Sequence, residues 1–208
     1  MFKDRHEAGE ALAKALSRFR GRDDAVILAI PRGALQIGEV LHDRLGLPLD
    51  IIVTKKISHP MSEEFAIGAV GPDGEHFLSV GALEVDPAYI IKERRRLSGV
   101  VEDKYRRYRG DRPKPDLAGK TVIIVDDGIA TGSTMLTAIR VIRKQRPKGI
   151  IVAVPVGPPD ALMMLAREAD KVVCLSTPTP FFAIGQFYED FPQVEDKEAI
   201  AILKRCRR

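Results

Sequence analysis

Apolar positions along the chain fall into short blocks, and two spacings alternate. Ala25–Ile30 (AVILAI), Leu49–Val53, Thr121–Val125, Ile150–Val154 and Val172–Leu175 are near-continuous apolar runs. Runs of this kind, without polar alternation, predict strands buried on both faces. Between them the spacing lengthens to three or four. Residues 6–19 carry Ala8, Leu12, Ala15, Leu16 and Phe19 at helical intervals, with Asp4 as N-cap. A second helix is predicted from about Ala34 to Leu45, ending near Gly46. Asp86-Pro87 is an N-cap followed by proline at the first helical position, so a long helix should run to about Arg109. Ser133–Arg146 and Pro159–Ala169 predict two more, and a short helix closes the chain.

The polar stretches divide these elements. Lys55–Glu64, with Pro60 inside, predicts a loop. Phe65–Val70 and His76–Val80 flank GPDG, a hairpin signal. Arg109–Lys120 is a linker, and the segment from Thr177 to Val194 is aromatic-rich and irregular. Strands alternating with helices imply an α/β fold, a parallel central sheet flanked by helices. The 208 residues suit one domain. A small hood would come largely from the C-terminal segment, about 177–194, and a hairpin or lid would follow the second strand, about 55–65. Ligands of such sheets gather at the carboxyl ends of the strands. Here those ends carry PRG, TKK, DDGIATGST, PVGPP and STPTPFF.

Composition changes this picture in two ways. No apolar run reaches the roughly 20 residues that span a bilayer, and the N-terminus MFKDRHEAGE has no apolar signal core. A cytoplasmic protein without a membrane partner is expected, and two cysteines, Cys174 and Cys206, do not suggest a disulfide framework. The net charge of +4 is also uneven. Lys92 to Lys114 holds ten Lys/Arg against four Asp/Glu, which leaves the remainder slightly acidic. Basicity confined to one segment, much of it on the long helix, argues against a general nucleic-acid partner. That helix would be a solvated face, a dimer contact or a polyanion site.

Chemistry concentrates in Val122–Met135, VIIVDDGIATGSTM. Gly128 and Gly132 let the backbone approach a ligand closely. Thr131, Ser133 and Thr134 offer hydroxyls, and the helix that follows offers unpaired N–H groups and its dipole. The result is a phosphate cradle. It is not a Walker A loop, which needs a lysine after the second glycine. Asp126 and Asp127 beside it make sense if the ligand also carries hydroxyls. A ribose 5-phosphate does, because a diol can donate to acceptor-only carboxylates. The plainer reading of either aspartate is that it orients the turn. The four histidines form no triad-like or metal-spaced set, and no GxSxG elbow exists.

The stretch resembles the phosphoribosylpyrophosphate motif of the type I phosphoribosyltransferases. PRG after the first strand, the polar loop after Lys55-Lys56 and the aromatic C-terminal segment extend the resemblance over most of the chain. The whole is most similar to bacterial phosphoribosyltransferases with a KK or RK pair, an AIGAV segment and a YEDF segment. The resemblance implies an enzyme in which a base nitrogen attacks C1 of phosphoribosylpyrophosphate and pyrophosphate leaves with Mg²⁺. Asp126 and Asp127 would hold the ribose hydroxyls directly or through Mg²⁺ water. Gly128, Ala130, Thr131, Gly132, Ser133 and Thr134 would bind the 5-phosphate. Arg32 and Gly33 would hold pyrophosphate, with Lys55 or Lys56 neutralising it. A homodimer is also implied.

The acceptor is an unidentified base. In the family's 6-oxopurine enzymes an aspartate precedes the Thr-Gly; here that residue is Ala130, which argues against hypoxanthine or guanine. Any general base must come from elsewhere. Glu63 or Glu64 is the candidate, against a reading as solvated loop charges. Phe182-Ala183-Ile184-Gly185 resembles a purine-salvage hood, so Phe182 would stack on the base beside Ile184, unless these residues are plain core. Glu189 or Asp190 would then face pyrophosphate and Mg²⁺. The alternative to an enzyme is a regulator that senses phosphoribosylpyrophosphate or a nucleotide, binding nucleic acid through the basic helix.

Overall fold

A computed structural model describes residues 1–110 and 112–206, the side chain of Glu64 excepted. In chain order the elements are α1 (Arg5–Ala15), β1 (Ala25–Ala29), α2 (Ala34–Leu45), β2 (Leu49–Ile51), β3 (Lys55–His59), β4 (Ser62–Val70), β5 (His76–Leu78), α3 (Pro87–Arg109), β6 (Thr121–Val125), α4 (Ser133–Arg143), β7 (Gly149–Val156), α5 (Pro159–Ala166), β8 (Lys171–Ser176) and α6 (Asp196–Arg205). Five strands form a parallel sheet in the order β2-β1-β6-β7-β8. Their apolar runs alternate between two cores. Ile27, Ala29, Ile123, Val125 and Ile151 face the layer that contains α1, α2, α3 and α6. Val26, Leu28, Val122, Ile124 and Val152 face α4 and α5. Full burial of each such side chain contributes roughly 1.5–3 kcal/mol, and β1, buried throughout, carries no polar position. Among the described residues no helix is long and apolar enough to cross a membrane.

The helix starts follow the expected chemistry. Asp4 accepts from the Glu7 N–H at 2.8 Å, and Asp86 from the Ala88 N–H at 2.9 Å. The loop expected over residues 55–64 is instead structured. Lys55–His59 is β3, and the rest enters the first half of β4, the two joined through a turn at Pro60 and Met61. Only Ile57 of β3 is fully buried, so no apolar pattern marked it. Antiparallel pairing with β4 supplies its hydrogen bonds, with register shifts on either side of Ser58. β5 adds a third strand across the GPDG turn. The long helix α3 packs on this small sheet and on α6. Arg109 at its end makes a buried bidentate pair with Asp50 of β2, both contacts at 2.6 Å. The segment between β8 and α6 is irregular except for one turn of 3-10 helix at Ile184–Phe187.

Candidate functional site

The carboxyl ends of β1, β2 and β6 converge, and each is followed by a segment with chemistry. After β6 come Asp126 and Asp127. The Asp127 N–H donates to Asp126 Oδ1 at 2.9 Å. Arg5 of α1 donates from Nε to Asp127 Oδ2 at 2.7 Å, and from Nη1 to the Pro192 carbonyl at 2.8 Å. Its guanidinium lies 3.7 Å from the centroid of the Phe191 ring, and the residue is only 5% exposed. Tyr188 donates its hydroxyl to the Asp127 carbonyl at 2.7 Å. One aspartate is therefore locked to the first helix and to the segment before α6. The other has no Lys or Arg partner among the described residues. Burial, and next the charge of Asp127, push the Asp126 carboxyl well above the ordinary carboxylate range.

The loop behind the aspartates is built as a cradle. Gly132 caps α4 with φ of 79°, a left-handed conformation that favours glycine. A Cβ there would also come within 2.8 Å of Met164 Cε. Ser133 and Thr134 then open α4, where N–H groups have no helical acceptor. Thr131 donates its hydroxyl to Ser133 Oγ at 3.1 Å.

These hydroxyls border a cavity of about 490 Å³. Pro31 of the loop after β1, Thr54, Lys55 and Lys56 of the chain after β2, and Lys104 of α3 also line it, as do Thr137 and Arg140 of α4. No carboxylate is among its described lining residues. Such a wall of cations and hydroxyls suits a multiply charged anion. Across Pro31 lies a wider cavity of about 870 Å³, where Arg32, Gly33, Lys104 and Arg107 face Asp103 and Asp196.

The family model for the phosphoribosyl transferase domain matches residues 3–191. The chain belongs to this family. Similar proteins include Rv0571c of Mycobacterium tuberculosis H37Rv, named provisionally as a phosphoribosyl transferase, at 38% identity over all of this chain and 47% of that protein. The chain thus spans about half the length of the curated relatives it matches. TT1426 of Thermus thermophilus is 40% identical, covers 98% of both chains and superposes with a TM-score of 0.91. A purine phosphoribosyltransferase from Pyrococcus horikoshii shares the fold at 22% identity and a TM-score of 0.50, over 90% of this chain and 91% of its own.

In this phosphoribosyl transferase domain, the sequence candidates separate into groups. Thr131, Ser133, Thr134, Lys55 and Lys56 meet at the smaller cavity, with exposed Ala130 and buried Gly132 in the same loop. Arg32 turns the other way: its Nη1 lies 3.3 Å from Asp196 Oδ1. Gly33 leaves room for the acidic pair, since a Cβ there would fall 2.0 Å from Asp127 Oδ2. Gly128 is covered by Ile184, whose Cγ2 would be 2.5 Å from an added Cβ. Phe182 is 83% exposed, which excludes the core reading for this ring. Glu63 is exposed, and the Glu64 side chain lies outside the described residues. Asp190 lines a separate cavity with Asp4, Arg5 and His6, away from the phosphate loop.

Sequence reasoning missed Arg5, Tyr188, Thr54 and Lys104. Arg5 is 122 residues from Asp127, and nothing local distinguishes it from a surface arginine on a charged helix. Lys104 is hidden among the many basic residues of α3.

Proposed function

We propose that the protein is a phosphoribosyltransferase that uses phosphoribosylpyrophosphate with Mg²⁺ and transfers ribose 5-phosphate to a nitrogenous base. The observation that carries this reading is the cavity lined both by Thr131, Ser133 and Thr134 and by Lys55, Lys56 and Lys104, with no carboxylate among its described lining residues. A donor that carries both a phosphate and a pyrophosphate suits that set of cations and hydroxyls. Ser133, Thr134 and the first N–H groups of α4 would take the 5-phosphate. Asp126, the carboxylate without a cationic partner, would accept from the ribose hydroxyls, with Asp127 held beside it by Arg5.

In the reaction a lone pair on the base nitrogen forms the new bond to C1. The C1–O bond to pyrophosphate breaks, pyrophosphate departs with the electron pair, and the nitrogen's proton passes to solvent or a nearby base. The chain contributes positioning and charge stabilisation. Among the described residues no three of His, Cys, Asp and Glu gather as a metal cage. Two adjacent carboxylates fit an ion held mainly by water and substrate oxygens, as Mg²⁺ usually is. Asp126 and Asp127 would hold it, mostly through water, and the ion would supply neutralisation of the pyrophosphate charge. Phe182 offers an open aromatic face for a base.

Titration calorimetry with Mg²⁺ and phosphoribosylpyrophosphate tests the reading. We expect a dissociation constant in the micromolar range, usual for substrates, weakened at least about tenfold by Asp126→Ala, which removes the acceptor for the ribose hydroxyls. Wild type that does not bind the donor sinks the assignment. A screen of bases for pyrophosphate release separates an enzyme from a donor-sensing regulator, which would bind and release nothing.

A further inference from the structure

Lys104 is a lysine without a counter-ion. It is half-buried on α3 and makes no ion pair among the described residues; its ammonium lies 5.8 Å from the centroid of the Tyr108 ring. Asp196 acts on it through space, but that carboxylate is already held by Tyr108, Arg107 and Arg32. Lys104 lines the smaller cavity and the wider one, at the wall the two share with Pro31. Burial, and next the charge of Lys55, lower its affinity for its proton. An ammonium kept half out of water and beside other cations is unfavourable unless an anion joins it.

The same wall settles which cations face the smaller cavity. Arg32 was the residue expected to meet pyrophosphate. Its guanidinium is engaged by Asp196, and it lines the wider cavity only. Besides Arg140 of α4, the cations that line the smaller cavity are Lys55, Lys56 and Lys104. Two of these sit on β3, and the third comes from a different layer of the molecule. An anion held by all three would bridge β3 and α3, and a pyrophosphate carries enough charge to meet several cations at once.

We propose that Lys104 binds the pyrophosphate group of the donor, so that α3 supplies a leaving-group contact. The inference rests on the donor reading above. Pyrophosphate gains charge on the departing oxygen as the C1–O bond breaks. A cation at that oxygen therefore favours the transition state over the bound donor. The basic run on α3 then has a mixed purpose: Lys104 serves the site, while residues such as Arg96, paired with Glu93 at 2.7 Å, serve the surface.

The test is calorimetry of the full chain with Mg²⁺ and three separate probes: phosphoribosylpyrophosphate, inorganic pyrophosphate and ribose 5-phosphate. Lys104→Met keeps a long unbranched side chain and removes the charge. Donor and pyrophosphate binding should weaken about 10- to 100-fold, the usual worth of a hydrogen bond to a charged group, while ribose 5-phosphate binding stays within about twofold. Lys104→Arg should keep most of the affinity, and it serves as the second variant if the methionine form unfolds early on heating. Unchanged pyrophosphate binding in Lys104→Met overturns the proposal. So does an equal loss for all three probes, which would make Lys104 a structural residue. A wild type that binds pyrophosphate but not the donor sinks the donor reading instead, and one that binds neither sinks both.

Discussion

Gly33 shows how little space separates the two halves of the site. The Asp127 carboxylate and the Arg5 guanidinium fill the position where a side chain would begin. We expect Gly33→Ala to displace the carboxylate and destabilise the fold by about 1–3 kcal/mol, the usual range for overpacking, as measured by urea denaturation. Stability within about 0.5 kcal/mol of wild type would mean that the pair moves freely. At this scale the sequence was legible where chemistry is local. Thr131, Ser133 and Thr134 are contiguous, and so are Asp126 and Asp127. Arg5 was illegible because its partners are Asp127, Pro192 and the Phe191 ring, none near it in the chain. Arg32 was legible as a residue of the loop after β1, but its direction was not, because Asp196 sets that direction from the far end of the sequence.

Among the elements, those that bury two faces were the most readable. β1, β6 and β7 have almost no polar position, and α2 ends at Leu45 before Gly46 as its pattern predicts. β3 was not readable, because its partner strand stabilises it and its own side chains do not. A smaller tie joins the elements at the far edge of the sheet. Asp170, just before β8, accepts from the Ile150 N–H of β7 at 2.7 Å and from Arg143 of α4 at 2.8 Å. The Ile150 amide and then the Arg143 guanidinium hold its carboxyl below the ordinary range. A depressed folded-state pKa stabilises the fold above the ordinary value and ceases to do so as pH falls through the depressed one. Asp170→Asn should therefore be less stable than wild type at pH 7, and the gap should shrink below about pH 4. Thermal melts at pH 7, 5 and 3 check this; a gap that stays constant to pH 3 counts against it.

Across the whole molecule, a deeply buried ion pair adds to the apolar packing that joins α3 to the main sheet. Arg109 binds Asp50 of β2 with two short bonds, and it also donates to the carbonyls of Arg112 and Pro113. Removing the guanidinium strands a buried carboxylate. Arg109→Met should lose about 3–5 kcal/mol, and the Asp50→Asn/Arg109→Met double variant should regain part of that. Equal losses in the two variants would show that the cation alone mattered. The fastening has no sequence signal beyond one more arginine in a basic run. Time of synthesis adds a consequence of the Arg5 contacts. Arg5 leaves the ribosome 122 residues ahead of Asp127 and 187 ahead of Pro192. At about 5–20 residues per second, it waits roughly 10–40 s for its last partner. A nascent chain paused before Tyr188 would already display the cradle, yet nothing from its C-terminal segment would hold Arg5 or the acidic pair in place.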